Sequence, residues 1–306
     1  MAAQELQTRQ ACCGNIVIAP QCLLLLASQA ATAETPAWSV AKRHPQAPIV
    51  IAHRGASRLA PENTVSAIAR ARDLNSKVVE FDVHQSADGE LIVIHDATLK
   101  RTTNGRGPVS KAAWSELQTL DAGGWFAKEF RGEPIPRLRD ALEALGADMV
   151  AAIEIKTKAS VMENIQKDLE LTGTKDRAII FSFKPHQIRA ANKAMPDVPA
   201  LFLVEPESRK SEYPTTVIAR AKAMGADMIG LNHRAVMAAI VDASHEAGLP
   251  LFVYTVDEEP DVQRMVGLGV DGIISNCPRA TESRVNRFHA QSKKKHTGDE
   301  HDRPKQ

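Results

Sequence analysis

The sequence has almost no net charge, few aromatic residues and no long apolar run. Its 38 Lys+Arg residues balance 37 Asp+Glu residues, and aromatic residues make up 4% of 306 positions. Balanced charge argues against a nucleic-acid-binding protein, which usually carries a basic excess, and scarce aromatics argue against a base-stacking platform. The absence of a run of about 18 apolar residues excludes a protein with several membrane spans. Hydrophobic residues still make up 43% of the chain, so a wholly disordered chain is excluded as well.

Cysteine is also scarce outside the N-terminal segment. Of the four cysteines, Cys12, Cys13 and Cys22 lie in the first 33 residues. The rest of the chain keeps only Cys277. One cysteine cannot form an internal disulfide, and a zinc site built from cysteines is excluded there too.

Residues 1–33 have the pattern of a secretory signal. An apolar stretch over 16–27 is followed by Ala31-Thr32-Ala33, a small-x-small cleavage pattern. This predicts an exported protein, periplasmic or secreted, with no stable membrane insertion once the signal is removed. The alternative is a poorly ordered N-terminal extension on a cytoplasmic protein.

The segments that flank the expected domain are predicted to be irregular. Residues 34–47 are expected to be a linker. From position 284 the composition turns polar and includes Lys293-Lys294-Lys295, which is typical of a disordered tail over 284–306. The expected domain therefore covers residues 48–283.

Within this domain, short apolar runs rich in β-branched residues alternate with helical patterns. One predicted helix covers Glu62–Leu74, with Pro61 at its first turn. Nearly continuous apolar strands separated by helices indicate a parallel sheet covered by helices. The predicted strands are Ile49–His53, Val78–Val83, Leu91–His95, Ala151–Ile155, Ala178–Ser182, Ala200–Val204, Met228–Asn232, Leu251–Thr255 and Gly272–Ser275.

The strand Leu91–His95 differs from the other eight. Too few residues separate it from the second strand for a crossover helix, and Asp88-Gly89 is a strong two-residue hairpin turn. The remaining eight strands predict an α/β fold of the TIM-type (β/α)8 barrel, with a small insertion over 97–140 after the hairpin. A doubly wound open sheet is the alternative, although no Gly-x-Gly-x-x-Gly follows the first strand.

The two-residue turn also predicts the register of the hairpin. With Asp88 and Gly89 as the turn, Asp82 pairs with His95. Paired residues project to the same side, and Glu80 shares that side because strands have a period of two. A slip of one residue would break this arrangement.

Polar residues stand at the carboxyl ends of several strands, where barrels carry their catalytic groups. Glu80, Asp82 and Glu154 would repel each other unless protonated, paired or joined by a cation. Arg54 and Lys156 neutralise them only in part, so a divalent cation held by the three carboxylates is predicted. Oxygen ligands suit Ca²⁺, the expected ion, or Mg²⁺. The alternative is a structural cluster of ion pairs.

Two histidines end strands beside this predicted metal site. One of His53 and His95 can take a proton from a nucleophile while the other gives one to a leaving oxygen. The metal and Arg54 can stabilise charge on phosphate oxygens. The set therefore suggests phosphoryl chemistry. His84 lies on the opposite face from Asp82 and is interpreted as structural.

These residues carry a resemblance to the glycerophosphodiester phosphodiesterase family, whose barrel belongs to the phosphatidylinositol-phospholipase-C-like superfamily. The resemblance covers about 48–280. Two positions depart from it, with Tyr254 where members commonly have Trp and Asn276 where they commonly have Asp. The motifs that carry it are His53-Arg54-Gly55, Pro61-Glu62-Asn63-Thr64, Glu80-Phe81-Asp82, His95-Asp96, Thr102-Thr103-Asn104-Gly105, Glu154-Ile155-Lys156, Ser182-Phe183, Tyr254-Thr255-Val256 and Asp271-Gly272-Ile273-Ile274.

The resemblance implies hydrolysis of small glycerophosphodiesters to sn-glycerol 3-phosphate and an alcohol. It implies that Arg54 and Lys156 contact the phosphate and that Glu62 supports the site. It also implies that the insertion walls the glycerol end, where Trp125 and Phe126 either contact substrate or pack the insertion on the barrel.

Other functions remain open at this point. They are a lysophospholipase D or sphingomyelinase D-like lipid phosphodiesterase, a metal-independent phospholipase C, and a non-catalytic barrel that binds glycerophosphodiesters. The nucleophile is either water or the neighbouring glycerol hydroxyl, which would give a cyclic phosphate.

Overall fold

The structure, a computed structural model, describes residues 34–204 and 213–301. All nine predicted strands are present, and their ends differ from the predicted ones by at most two residues. The strands are β1 Ile49–Ala52, β2 Val78–Gln85, β3 Leu91–Val93, β4 Val150–Ile155, β5 Ala178–Ser182, β6 Ala200–Val204, β7 Met228–Asn232, β8 Leu251–Tyr254 and β9 Gly272–Ser275.

Eight parallel strands close into a barrel. β1 pairs with β9 on one side and with β2 on the other, which closes the sheet, and β3 is added antiparallel to β2. The strands are buried along nearly their whole length, since side chains fill the barrel on one face and helices cover the other. The predicted TIM-type barrel is confirmed.

The helices occupy the segments between the strands. They are α1 Pro36–Val40, α2 Val65–Asp73, α3 Trp114–Leu117, α4 Leu138–Glu143, α5 Met162–Thr172, α6 Pro185–Ala194, α7 Tyr213–Ala223, α8 Ala238–Glu246, α9 Glu259–Leu268 and α10 Pro278–His301. Among the described residues, none of these helices is long and apolar enough to cross a membrane.

The predicted start of the helix Glu62–Leu74 is wrong. The helix α2 begins at Val65, because the Thr64 side chain accepts a hydrogen bond from the Ala67 backbone N–H and caps the first turn. Pro61 therefore lies before the helix rather than in its first turn. Glu62 and Asn63 consequently belong to the loop between β1 and α2, at the carboxyl end of β1.

Both flanking segments are more ordered than expected. The predicted linker 34–47 contains α1, whose Ala37 and Val40 are buried with interior residues of the barrel such as Ile51. The predicted tail from 284 is helical to His301 as part of α10, whose Val285 is buried in a core cluster with residues of the barrel such as Val50. The signal predicted over 1–33 and residues 302–306 lie outside the described residues.

The hairpin register also differs from the prediction. Val83 pairs with Val93, so Asp82 lies opposite Ile94 rather than His95. The loop has three residues, Ala87-Asp88-Gly89, and the Ser86 N–H donates to the Glu90 carbonyl. Gly89 takes the positive φ of 91° that the last position of such a loop requires.

A small insertion between β3 and α4 has a core of its own. α4 begins at Leu138, so the insertion ends slightly before the predicted position 140. The strand β3 contributes Ile92 to this core. The buried members of this core are Ile92, Ile94, Leu99, Val109, Leu117, Ala122 and Ile135.

Candidate active site

A cavity of about 170 Å³ opens at the carboxyl ends of the strands. One side of it is charged and the other is apolar. Asp82 lies beneath the charged side and is fully buried. The residues that line the cavity are His53, Arg54, Glu80, His95, Glu154, Lys156, Phe181, Phe183, Leu203, Tyr254, Thr255 and Ile274.

Three buried carboxylates meet at the charged side of this cavity because of strand geometry. Asp82 on β2 pairs with Glu154 on β4, and Glu80 precedes Asp82 by two residues on the same strand face. Each offers an oxygen within 4.8 Å of the others. The structure thus brings together the three residues that the sequence proposed as metal ligands.

Their protonation reflects mutual repulsion in a buried place. Burial, followed by the charges of Asp82 and Glu154, raises the pKa of Glu80 well above its ordinary value. Burial and then Asp82 raise the pKa of Glu154 to about 7. Burial acts on Asp82 in the same direction, but Arg54 and Lys156 outweigh it and lower the pKa of Asp82.

The three carboxylates fit an oxygen-preferring cation. Glu80 Oε1 is buried and accepts no hydrogen bond from any described residue. Asp82 Oδ1 likewise accepts none within the described ranges and lies 3.4 Å from Lys156 Nζ. Buried anionic oxygens without donors are costly. A hard divalent ion such as Ca²⁺ or Mg²⁺ satisfies this donor set.

Two side-chain cations bound the site. Arg54 Nε lies 3.2 Å from Asp82 Oδ2, and Arg54 Nη1 donates to Glu62 Oε1 at 2.8 Å. Arg54 has a left-handed φ of 55°, and its backbone N–H donates to Glu80 Oε2 at 2.9 Å. Lys156 Nζ donates to Glu154 at 2.7 Å. Both predicted phosphate contacts therefore also hold the carboxylates in place.

His53 follows β1 and lines the cavity. Its Nδ1 is 2.7 Å from Asn276 Oδ1, and its Nε2 lies 3.9 Å from Glu80 Oε2. Burial and then the charge of Arg54 lower the pKa of His53 to about 4. His53 is therefore a neutral imidazole at neutral pH.

His95 reaches the same cavity although its predicted pairing is wrong. β3 ends at Val93, so His95 is no longer constrained to the alternation of the strand. Its Nδ1 is 2.7 Å from Asp96 Oδ1, and its carbonyl lies 3.1 Å from His84 Nε2. The contact of His84 with this carbonyl supports the backbone of His95. Burial lowers the pKa of His95, as it does that of His53.

Glu62 occupies the centre of a charged chain across the cavity mouth. It accepts hydrogen bonds from Arg54 and a bidentate pair from Arg101, whose two distances are both 2.8 Å. Arg101 also donates to Asp96 at 2.8 Å, which in turn contacts His95. Burial acts to raise the pKa of Glu62, but Arg101 and Arg54 lower it.

Sequence reasoning missed three residues of this region. Arg101 directly precedes the motif Thr102-Thr103-Asn104-Gly105, but it lies outside the predicted strands and helices, so no periodic pattern indicated its position. Asn63 is buried, and its amide donates to Asp82 Oδ2 at 2.8 Å. Asn276, noted only as a departure, directly follows β9, so the carboxyl-end criterion applied to that strand would have found it.

The insertion aromatics do not extend the cavity lining. Trp125 is 42% exposed, and its ring packs edge-on against Phe126, which meets Phe130 in the same way. Trp125 and Phe126 therefore contact each other and Phe130 within the insertion, and neither is among the residues that line the cavity.

Comparison with known proteins agrees with this geometry. The model of the glycerophosphoryl diester phosphodiesterase family matches residues 53–280. A glycerophosphodiester phosphodiesterase of Caldanaerobacter subterraneus subsp. tengcongensis is 36% identical over 235 residues, covering 75% of this chain and 94% of that protein.

Solved structures are similar over the same region. The glycerophosphodiester phosphodiesterase of Agrobacterium tumefaciens is 31% identical with a TM-score of 0.66, covering 77% of this chain and 99% of that one. An Oleispira antarctica phosphodiesterase, solved in complex with the product sn-glycerol-3-phosphate, is 26% identical with a TM-score of 0.67. It covers 78% of this chain and 97% of that one.

Proposed function

The chain belongs to the glycerophosphoryl diester phosphodiesterase family and is a phosphodiesterase, and we propose that it uses a divalent cation and two histidines to release sn-glycerol 3-phosphate and an alcohol. One observation carries the proposal. Three buried carboxylates lie together at a cavity that is lined by His53 and His95, and two of them, Glu80 and Asp82, have an oxygen that accepts no hydrogen bond from any described residue. The Oleispira antarctica relative holds sn-glycerol-3-phosphate as its product, which supports this product here.

Glu80, Asp82 and Glu154 would hold the cation, with Ca²⁺ expected and Mg²⁺ the alternative. When bound, the ion would polarise a phosphoryl oxygen and neutralise charge that develops on it. Arg54 and Lys156 line the cavity beside these carboxylates and bring positive charge to the remaining phosphate oxygens. The site therefore attracts a phosphodiester anion and holds it over the carboxylates.

The two histidines divide the proton transfers. One takes the proton of the nucleophile, which is water or the neighbouring glycerol hydroxyl, and the other gives a proton to the departing alkoxide. Both have Nδ1 bonded to a side-chain oxygen, which leaves Nε2 for the substrate. The cavity volume of about 170 Å³ suits a small soluble substrate.

We also propose that the protein is exported, because residues 1–33 have the pattern of a secretory signal. Fractionation of cells that express the full chain, with N-terminal sequencing of the product, tests this. A product in the cytoplasmic fraction that retains residues 1–33 would contradict it.

The activity is tested by release of glycerol 3-phosphate from glycerophosphocholine. The purified protein is assayed with chelator, then with Ca²⁺ or Mg²⁺ restored. We expect activity only with metal, and a loss of about 10²-fold or more in His53→Ala. His186→Ala, which removes an exposed histidine on α6, is the matched control. Folded protein that releases nothing with either ion would overturn the proposal and direct the search to lipid substrates.

A further inference from the structure

The carboxylate of Asp257 lies behind His53, in the loop between β8 and α9. We propose that Asp257 is a positioning residue that acts through the Asn276 amide to hold His53 in the Nδ1–H tautomer, with the Nε2 lone pair directed at the catalytic site. The catalytic meaning of this arrangement rests on the proposed function, whereas the tautomer itself does not.

Asp257 is bonded entirely as an acceptor. Its Oδ1 accepts from the Ser275 hydroxyl at 2.9 Å and from the Asn276 backbone N–H at 2.8 Å. Its Oδ2 lies 2.7 Å from Asn276 Nδ2. Burial acts to raise the pKa of Asp257, but these hydrogen bonds lower it, so the group is ionised at neutral pH. An ionised carboxylate can only accept.

The carboxylate therefore fixes the orientation of the Asn276 amide. The atom that faces Asp257 Oδ2 must be the NH₂ group, because two oxygens at that distance would share no proton. Asn276 Oδ1 then faces the opposite way, toward His53 Nδ1 at 2.7 Å and the Ser57 hydroxyl at 3.1 Å. The Ser57 hydroxyl can donate or accept, so it follows this orientation by donating to the same oxygen.

The amide oxygen of Asn276 in turn fixes the tautomer of His53. A carbonyl oxygen can only accept, so His53 Nδ1 must carry the hydrogen. In the neutral ring the lone pair then lies on Nε2, which is 3.9 Å from Glu80 Oε2 and belongs to the wall of the cavity. A nitrogen of this kind takes a proton from a nucleophile. The polarity of two hydrogen bonds thus gives His53 the tautomer that the accepting step requires.

Reversing the polarity of the hydrogen bond between positions 257 and 276 tests the proposal. Asp257→Asn places an NH₂ group opposite the NH₂ of Asn276. The Asn276 amide then turns its oxygen toward position 257 and its NH₂ toward His53, which forces the Nε2–H tautomer. The double variant Asp257→Asn/Asn276→Asp restores an acceptor toward His53, because the new amide donates to the new carboxylate.

Nitrogen-15 NMR of histidine-labelled intact protein reads the tautomer directly, with the His53 signals assigned by comparison with His53→Ala. We expect Nδ1–H in the wild type, Nε2–H in Asp257→Asn, and Nδ1–H again in the double variant. Asn276→Leu, which deletes the acceptor but keeps Asp257, is also expected to lose the wild-type tautomer. If Asp257→Asn does not fold, Asn276→Leu still tests the proposal. An Nδ1–H signal in Asp257→Asn or in Asn276→Leu would overturn the proposal.

Kinetics give the second measurement. We expect kcat of Asp257→Asn to fall about 100-fold with KM unchanged, since general base catalysis contributes about 10²–10⁴-fold. The double variant should recover to within about tenfold of the wild type. Asp227→Asn is the matched control, because Asp227 bonds the Ala200 N–H away from the site. A double variant no faster than Asp257→Asn would count against positioning. An inactive wild type with the expected tautomers would instead refute the proposed function alone.

Discussion

Removing the charge of Glu80 should stabilise the protein when no metal is bound. Glu80 is 1% exposed, and an oxygen of each of its neighbours Asp82 and Glu154 lies within 4.8 Å. In Glu80→Gln the amide oxygen can keep the hydrogen bond from the Arg54 N–H, while the NH₂ takes the place of the unsatisfied Oε1. The variant thus replaces repulsion by a donor that faces two carboxylates.

The expected magnitude follows from the distance. Two unit charges at this separation repel by about 3 kcal/mol at an effective dielectric constant of about 20. Arg54 and Lys156 offset part of this repulsion, so we expect the free energy of unfolding to rise by about 1–3 kcal/mol at pH 8. The size of this effect depends on pH, because burial raises the pKa of Glu80 in the folded state. The destabilisation is absent below the unfolded-state pKa of about 4.3, grows as pH rises from there to the folded-state pKa, and is complete above it.

Urea unfolding in chelator at pH 4 and pH 8 measures this difference. Saturating Ca²⁺ should stabilise the wild type by about 2.7 kcal/mol at 100 times Kd and the variant by much less. Glu62→Gln is the matched control with the opposite sign, because Glu62 is paired with Arg54 and Arg101 and loses both ion pairs. A Glu80→Gln variant that is less stable than the wild type in chelator at pH 8 would refute the reasoning.

Three further predictions concern other parts of the molecule. Arg101→Gln should lower kcat roughly tenfold, which corresponds to about 1.4 kcal/mol of transition-state stabilisation. The reason is that Arg101 holds the Asp96 carboxylate, which contacts His95. Unchanged steady-state kinetics would exclude that role. Gly272→Ala should destabilise by about 1–3 kcal/mol, because a Cβ would lie 2.0 Å from the buried Phe252 ring, and Phe252→Leu in the same chain should restore part of the loss in urea unfolding. Val40→Ala should cost about 2 kcal/mol, since Val40 is 3% exposed, and a change below about 0.5 kcal/mol would show that α1 adds little to the barrel.

The barrel and its carboxylate cluster were predictable because both depend on local patterns. Strands buried on both faces must be nearly continuous apolar runs, so each could be recognised within its own few residues. The convergence of Glu80, Asp82 and Glu154 then needed only two rules. Strand side chains alternate, and barrel strands bring their carboxyl ends to one mouth.

The hairpin register was not predictable from the same kind of signal. An Asp-Gly pair suits a two-residue turn, but glycine at the last position suits a three-residue loop equally well. Ser86 favours the longer loop, because its hydroxyl donates to Asp88 at 2.6 Å and accepts from the Glu90 N–H at 2.9 Å. These side-chain bonds decide between two turns that the backbone preferences of Asp and Gly do not distinguish.

The helices α1 and α10, which flank the barrel, were not predicted for a different reason. The helix α1 has only five residues, too few for a periodic signal, and its Ala37 and Val40 are buried among barrel residues that are distant in the sequence, such as Val150. The helix α10 has a polar composition, and Val285 and Phe288 pack in or against a core cluster of the barrel. Both helices thus make tertiary contacts that local sequence preferences do not reveal.

The partners of the two histidines show where a barrel prediction could have gone further. Asp96 follows His95 directly in sequence, whereas Asn276 is 223 positions from His53. Closure of the barrel nevertheless places the first and last strands side by side, and Ala52 pairs with Ser275. The residue after each strand must then meet its counterpart, which makes His53 and Asn276 neighbours. The missing information was thus the register between β1 and β9, the two strands that close the barrel. Closure requires these strands to pair, but neither strand's own sequence indicates which residues face each other.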